Sequence, residues 1–302
     1  SEVTVTFVGD VISDQTCLNR FKITRTYRVT DECGNHTDYV QVINVNDTTP
    51  PVMTPPNPII GIQCGDQVPQ PYTTITEYVN GGGTINDNCT ANGNVVTLSF
   101  VGDEIIPGSC GNSFTIIRTY KATDICGNYS TMQQTIVVTD NTVPAITPPG
   151  PITVTCASDV PAPDTNLVIV SDNCSDAASI SVTFVSDVIT NQICANKYTI
   201  IRTYKATDEC GNYATATQTI TVFDNIPPII IPPADVTGIQ CASDIPAPFV
   251  NAEQFISAGG QVSDNCEGGV VVIMIQESIV AGDCINQYDL IRTYRATDVC
   301  GN

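Results

Sequence analysis

The sequence contains no tryptophan and only one histidine, His36, among its 302 residues. With a single imidazole in a polar turn, neither a hydrolytic triad nor a histidine-rich metal centre can be assembled. Basic residues are also scarce. Eleven Lys and Arg face 31 Asp and Glu, a formal charge of −20, which argues against nucleic acid or an anionic membrane as partner and makes cations the natural counter-species. Long apolar runs are missing too. Val270 to Ile275 is one of the longest, too short to cross a bilayer, and no basic stretch leading into an apolar one marks a secretory leader. The sequence therefore reads as a processed or excised segment. No C-x-x-C pair suggests a thiolate metal site, and no Gly-rich phosphate loop precedes a helix.

What the chain does have is cysteine and repetition. Fourteen cysteines at recurring spacings fit a disulfide framework, and so an extracellular or cell-surface location. One stretch occurs four times, as KITRTYRVTDECGN, TIIRTYKATDICGN, IIRTYKATDECGN and LIRTYRATDVCGN. Its arginines, Arg25, Arg118, Arg202 and Arg292, lie 93, 84 and 90 residues apart, a period suited to sandwich-sized domains. Rich in β-branched and aromatic residues and ending in Asp-x-Cys-Gly-Asn, the stretch reads as a strand entering a tight turn. The expected class is all-β, tandem Ig-like β-sandwich domains in a linear, elongated array. The boundaries follow: a partial repeat at 1–47 holding only the later strands, repeats at 48–140 and 141–224, and a repeat at 225–302 without its last strand.

Within a repeat, the proline-rich opening permits an edge strand with a kink, one that could switch sheet edges partway. TITEYVNGGG in the second repeat and NAEQFISAGG in the fourth read as one- or two-turn helices, an insert that the third repeat omits. An alternating strand follows: Val95 to Val101, Ile180 to Val185 or Val270 to Ile275, with Ile180, Val182 and Phe184 on the core face. In the signature strand Ile200, Arg202, Tyr204 and Ala206 share one side. The arginine, on the same face as the tyrosine two residues on, could stack on a ring, pair with a carboxylate or bind a ligand, and reads first as a surface cation covering that aromatic. Prolines directly after the last strand, as at Pro227 and Pro228, make a short, stiff junction and hence a semi-rigid rod.

Each complete repeat carries four cysteines, here numbered first to fourth. The third and fourth bracket the signature strand, about 30 Å from end to end, and so cannot bond without folding it. Likewise the second and third are separated by the alternating strand. This leaves first with third and second with fourth: Cys64–Cys110, Cys89–Cys126, Cys156–Cys194, Cys174–Cys210, Cys241–Cys284 and Cys266–Cys300. Cys156 and Cys194 would then lie at one pole of the sandwich and Cys174 and Cys210 at the other. Cys17 and Cys33 would pair upstream of residue 1; the rival scheme, neighbours pairing as Cys17–Cys33, leaves no orphan.

Acidic residues recur at one pole of each repeat. Asp47, Asp87 and Asp124 form the first set; Asp140 with Asn141, Asp172 and Asp208 the second; Asp224 with Asn225, Asp264 and Asp298 the third. Hard oxygen ligands gathered at a junction suit calcium, which would stiffen the joint by offsetting carboxylate repulsion. The same Asp and Asn are also ordinary turn residues that bond their own backbone. Because the repeats carry the same residues, no site is singled out for catalysis and no enzyme is expected.

At the Ala-Thr-Asp-x-Cys-Gly-Asn turn, the Asp-Asn-Cys turn and the Val-x-Asp-x-x-Pro-Pro junction, the chain resembles hyalin-type repeats, and the cysteine-bearing variant resembles the arrays in large surface adhesins and filaments of gliding bacteria with type IX secretion. That resemblance implies an Ig-like fold and a structural or adhesive role as a stalk or filament. The implied partners are neighbouring repeats of a longer chain, other copies in a filament, or surface glycans bound through repeat avidity.

Overall fold

The computed structural model describes residues 2–89, 96–285 and 287–302. It divides into two compact units, residues 1–142 with 173–175, and 143–172 with 176–302. Unit one starts with β1 (Val3–Cys17), β2 (Arg20–Asp31) and β3 (His36–Asn46), an antiparallel sheet in the order β1-β2-β3. It continues with β4 (Val52–Thr54), β5 (Ile59–Ile62), α1 (Ile75–Asn80), β6 (Thr84–Asn86), β7 (Thr97–Pro107), β8 (Phe114–Thr123) and β9 (Tyr129–Val138). Here β4 pairs with β6, while β5 joins a second sheet in the order β5-β9-β8-β7. The expected switch of sheet edge is present. Pro55, Pro56 and Pro58 interrupt the opening segment, so one half serves each sheet.

Unit two repeats the plan. β10 (Ala145–Thr147) pairs with β12 (Ile169–Ser171), and β11 (Ile152–Val154) adds in parallel to β15 (Tyr213–Phe223) in a sheet ordered β11-β15-β14-β13, with β13 spanning Ser181–Cys194 and β14 Lys197–Thr207. The final repeat holds β16 (Ile229–Ile231) paired with β17 (Gln261–Ser263), α2 (Ala252–Ser257), and β18 (Val271–Ala281) paired with β19 (Tyr288–Thr297). The chain is a tandem series of Ig-like β-sandwiches, as its sequence leads one to expect. Among the described residues no helix is long and apolar enough to cross a membrane.

Both expected helices are one and a half turns long, and their caps explain where they start. Thr74 accepts from the Glu77 N–H while Glu77 reaches back to the Thr73 and Thr74 N–H groups, and Asn251 accepts from the Gln254 N–H. The third repeat has only a 3₁₀ turn at 165–167. Each helix buries one aromatic ring. Tyr78 lies edge-on to Tyr120, 5.3 Å between centroids, and donates its hydroxyl to the Thr54 carbonyl, while Phe255 meets Phe249 and Tyr294. With Met53 and Ala122 the tyrosines join the two sheets of the second repeat; a further cluster of Ile62, Ile116, Ile136 and Val138 fills the other end.

Two expectations fail along the β13–β14 hairpin. Phe184 is 42 % exposed rather than core: it pairs with Tyr204, but its strand β13 is the edge of the sheet, where one flank is uncovered. Arg202, expected on the surface, is 3 % exposed and lies on the core face with Ile200, Tyr204 and Ala206. Its guanidinium grips Asp187 with two bonds of 2.9 and 2.8 Å and donates to the Pro161 carbonyl at 2.8 Å. Arg118 does the same with Asp103 and Pro69, so this cation ties the hairpin to the opening half of the repeat. Val95, the expected start of a strand, lies outside the described residues.

Arg25 keeps the carboxylate, Asp10, with one third of its side chain exposed. Arg202→Ala is therefore expected to cost about 2–3 kcal/mol, since it removes an almost fully enclosed guanidinium together with its ion pair and its bond to the Pro161 carbonyl, and Arg25→Ala distinctly less. Urea unfolding of the two variants measures the difference, and equal costs would remove the anchoring role.

Candidate functional site

The site grows from the turn that ends each signature strand. In Asp-x-Cys-Gly-Asn the aspartate folds the chain around its own side chain. Asp298 Oδ1 accepts from the N–H groups of Cys300 and Asn302, both at 2.8 Å, and Oδ2 from Asn302 Nδ2 at 2.9 Å. Asp31, Asp124 and Asp208 make the same three bonds. The glycine makes this possible by adopting φ near +88°, a conformation that side chains with a Cβ disfavour. Burial pushes the Asp298 carboxyl up, but the bonds from Asn302, Cys300 and Gly301 outweigh it and hold the group below the usual carboxylate range.

The asparagine of this turn reaches across to the preceding repeat. Asn128 Nδ2 donates to the Asp47 carbonyl and Asn302 Nδ2 to the Asp224 carbonyl, each at 3.2 Å. A second asparagine, two residues after the third cysteine, reaches the other way. Asn196 Nδ2 donates to the Glu267 carbonyl at 2.8 Å, and Asn112 Nδ2 to Ser175 Oγ at 3.2 Å. The recurring Cys-x-Asn at Cys17, Cys110, Cys194 and Cys284 was the available sequence signal for these contacts.

Covalent bonds cross the same boundary, which corrects the expected pairing. The bridges are Cys17–Cys126, Cys64–Cys174, Cys156–Cys266 and Cys194–Cys300, with sequence separations of 109, 110, 110 and 106. Cys110 and Cys210 are disulfide-bonded as well. None of the six proposed intra-repeat pairs forms in this way: Cys64 does not join Cys110, nor Cys89 Cys126, Cys156 Cys194, Cys174 Cys210 or Cys266 Cys300, and Cys241 and Cys284 are exposed thiols rather than partners. Cys17 bonds downstream, not upstream, and Cys33 is an exposed thiol. The polar arrangement behind the expectation survives. First and third cysteines do share one pole, second and fourth the other, but the facing pole belongs to the next repeat. A first cysteine therefore bonds the second of its successor, and a third the fourth.

Acidic side chains converge inside this frame. In unit two the carboxylates of Asp224, Asp264 and Asp298 place one oxygen each within 4.8 Å of the others. Asp224 is 1 % exposed; its Oδ1 accepts from the Ile226 N–H and Asn265 Nδ2, but its Oδ2 and Asp264 Oδ1 are buried with no hydrogen-bond partner. Two charges at that distance repel by about 3 kcal/mol at an effective dielectric near 20. Oxygens bound ~2.4 Å from one shared ion lie at most about 4.8 Å apart, so the three are positioned to share a hard divalent cation.

In unit one the grouping departs from expectation. Asp47 and Asp87 come together with Cys89 instead of Asp124, and both aspartates leave Oδ2 buried without a partner. Burial and the neighbouring Asp47, Asp87 and Asp124 carboxylates raise the Cys89 thiol, which keeps it protonated and a poor ligand for a hard ion. Asp140 is buried in unit one and accepts from the Thr142 N–H; in unit two Asp172 follows β12 and Asp208 is buried in its own turn. Asn141 and Asn225 are exposed and belong to neither grouping.

Comparison with known proteins adds a match to a family model over part of the chain. Residues 144–222 match the model of an HYR-like domain with 4 cysteines. Over 287 residues the chain is 30 % identical to hyalin of Lytechinus variegatus, covering 92 % of this chain and 50 % of that protein, so it spans about half the length of this relative. Among solved structures, the protocadherin gammaB7 EC3-6 cis-dimer aligns over 96 % of this chain and 85 % of its own with a TM-score of 0.30 and 13 % identity. PcdhgB3 EC1-4 aligns over 95 % and 80 % with a TM-score of 0.30 and 15 % identity. Likeness at that level carries nothing about function. The family and hyalin matches support hyalin-type repeats in this chain.

Proposed function

We propose that the chain is a stretch of an adhesive, extracellular repeat protein that serves as a stalk or filament and catalyses no reaction. The observation that carries this reading is the pairing of cysteines between successive repeats. A pull arriving at Cys17 passes directly to Cys126, so the 109-residue span between them is bypassed rather than stretched. The boundary where Asp224, Asp264 and Asp298 converge then holds a cation of the calcium kind, which neutralises their repulsion and stiffens the joint. Neighbouring repeats are the partners this design needs.

Pulling single molecules by their ends tests it. With disulfides intact, unfolding events should release far less chain than a whole repeat; after reduction each event should release about 300 Å, the contour of some 90 residues. Full-length release from the oxidised chain would end the proposal.

A further inference from the structure

We propose that Cys284 is a covalent docking point for the fourth cysteine of another repeat of the same four-cysteine type. Two other third cysteines in the chain follow one rule: Cys17 bonds Cys126 and Cys194 bonds Cys300, each the fourth cysteine of the succeeding repeat, with Cα atoms 5.2 and 5.3 Å apart. Cys284 occupies the same place, just beyond the long strand β18, as an exposed thiol. Cys33, a fourth cysteine in the turn after β2, is the complementary case and is exposed as well.

The turn around Cys33 is already in the docked shape. Asp31 accepts from the N–H groups of Cys33 and Asn35 and from Asn35 Nδ2, as Asp124 does beside the bonded Cys126 and Asp298 beside the bonded Cys300. Little reordering of the turn is therefore required when the bond forms. The reaction is thiol–disulfide exchange with a low-molecular-weight disulfide as oxidant. One protein thiolate attacks the small disulfide and expels one reduced thiol; the second protein thiolate attacks the resulting mixed disulfide and expels the other. Two protons leave the protein thiols and end on the two reduced small thiols.

Cys33 of a second copy of the chain is the probe. The intact protein is incubated with glutathione disulfide, and its cross-linked products are digested without reduction and identified by mass spectrometry. The expected product joins Cys33 of one copy to Cys284 of another, in roughly tenfold excess over the Cys33–Cys33 and Cys284–Cys284 pairs, against the about twofold excess of random collision. Cys241 is the internal control. As a first cysteine it should bond only a second cysteine, so Cys33–Cys241 peptides should stay at the random level. Mixing the Cys33→Ser and Cys284→Ser proteins should give dimers and no longer species, and neither alone should give the asymmetric product. Because both thiols are exposed and outside any disulfide, blocking them by alkylation on the unmutated protein provides the same comparison without a substitution. Random proportions among the three pairs, or a Cys33–Cys241 yield equal to Cys33–Cys284, would overturn the assignment.

Discussion

Replacing both Cys156 and Cys266 with serine is expected to lower the unfolding free energy of unit two by about 4–5 kcal/mol, the chain-entropy value for a loop on the order of 100 residues. The bridge closes a loop with a separation of 110 residues, and both sulfurs lie in buried surroundings, with Cys156 5 % and Cys266 7 % exposed. The loss should be visible twice over in urea unfolding. The midpoint falls, and the single transition broadens or splits, because the bridge is what makes the repeats on its two sides unfold together. Cys241→Ser, at an exposed thiol, should change stability by less than about 0.5 kcal/mol. A double variant that loses under about 1 kcal/mol, or a non-reducing peptide map that recovers Cys156 with Cys194, would contradict the inter-repeat bridge.

The second large effect changes sign with the medium. In the presence of a chelator Asp224→Asn should be more stable than the parent by about 1–3 kcal/mol, because a buried carboxylate with an unpartnered oxygen no longer repels Asp264 and Asp298. In excess calcium the order should reverse. The parent gains about 2.7 kcal/mol when free ion stands at 100 times the dissociation constant, and the variant, having lost its most buried ligand, gains little. Thermal melts of both proteins in chelator and in a calcium series read all four values. Equal calcium shifts in the two proteins would show that Asp224 holds no ion. Asp235→Asn, an acidic residue outside the cluster, serves as the control for general charge effects.

Much of this architecture could be read from local pattern, because the physics involved is local. The proline-split opening strand, the two capped helices and the buried face of the signature strand each follow from a few adjacent residues. Phe184 was misplaced because alternation fixes a face but not a place in the sheet, and its strand β13 lies at the edge, where that face is only partly covered. Arg202 was misplaced because the carbonyl that satisfies it, on Pro161, comes from a segment 41 residues away. The disulfides show the limit most plainly. Strand length correctly assigned Cys156 and Cys194 to one pole, yet a tandem repeat makes the partner within the repeat and the partner in its successor indistinguishable by that argument. Only the docking of one repeat on the next decides between them. The acidic groups at Asp224, Asp264 and Asp298 were found for the same reason the cysteines were misassigned: proximity to a pole is legible, and what faces it is not.

The parallel pairing of β11 with β15 has its own consequence. Ile152, Thr153 and Val154 near the start of the third repeat lie beside Ile220, Thr221 and Val222 near its end, running in the same direction. Drawing the two ends of that repeat apart must slide one strand along the other, so the cross-strand hydrogen bonds resist in shear and give way together, where an antiparallel edge would be unzipped one bond after another. With Ile220 and Val222 fully enclosed, the sliding also drags apolar side chains toward water. A short parallel seam of three residues thus adds resistance along the length of the repeat once the bridges no longer carry the load.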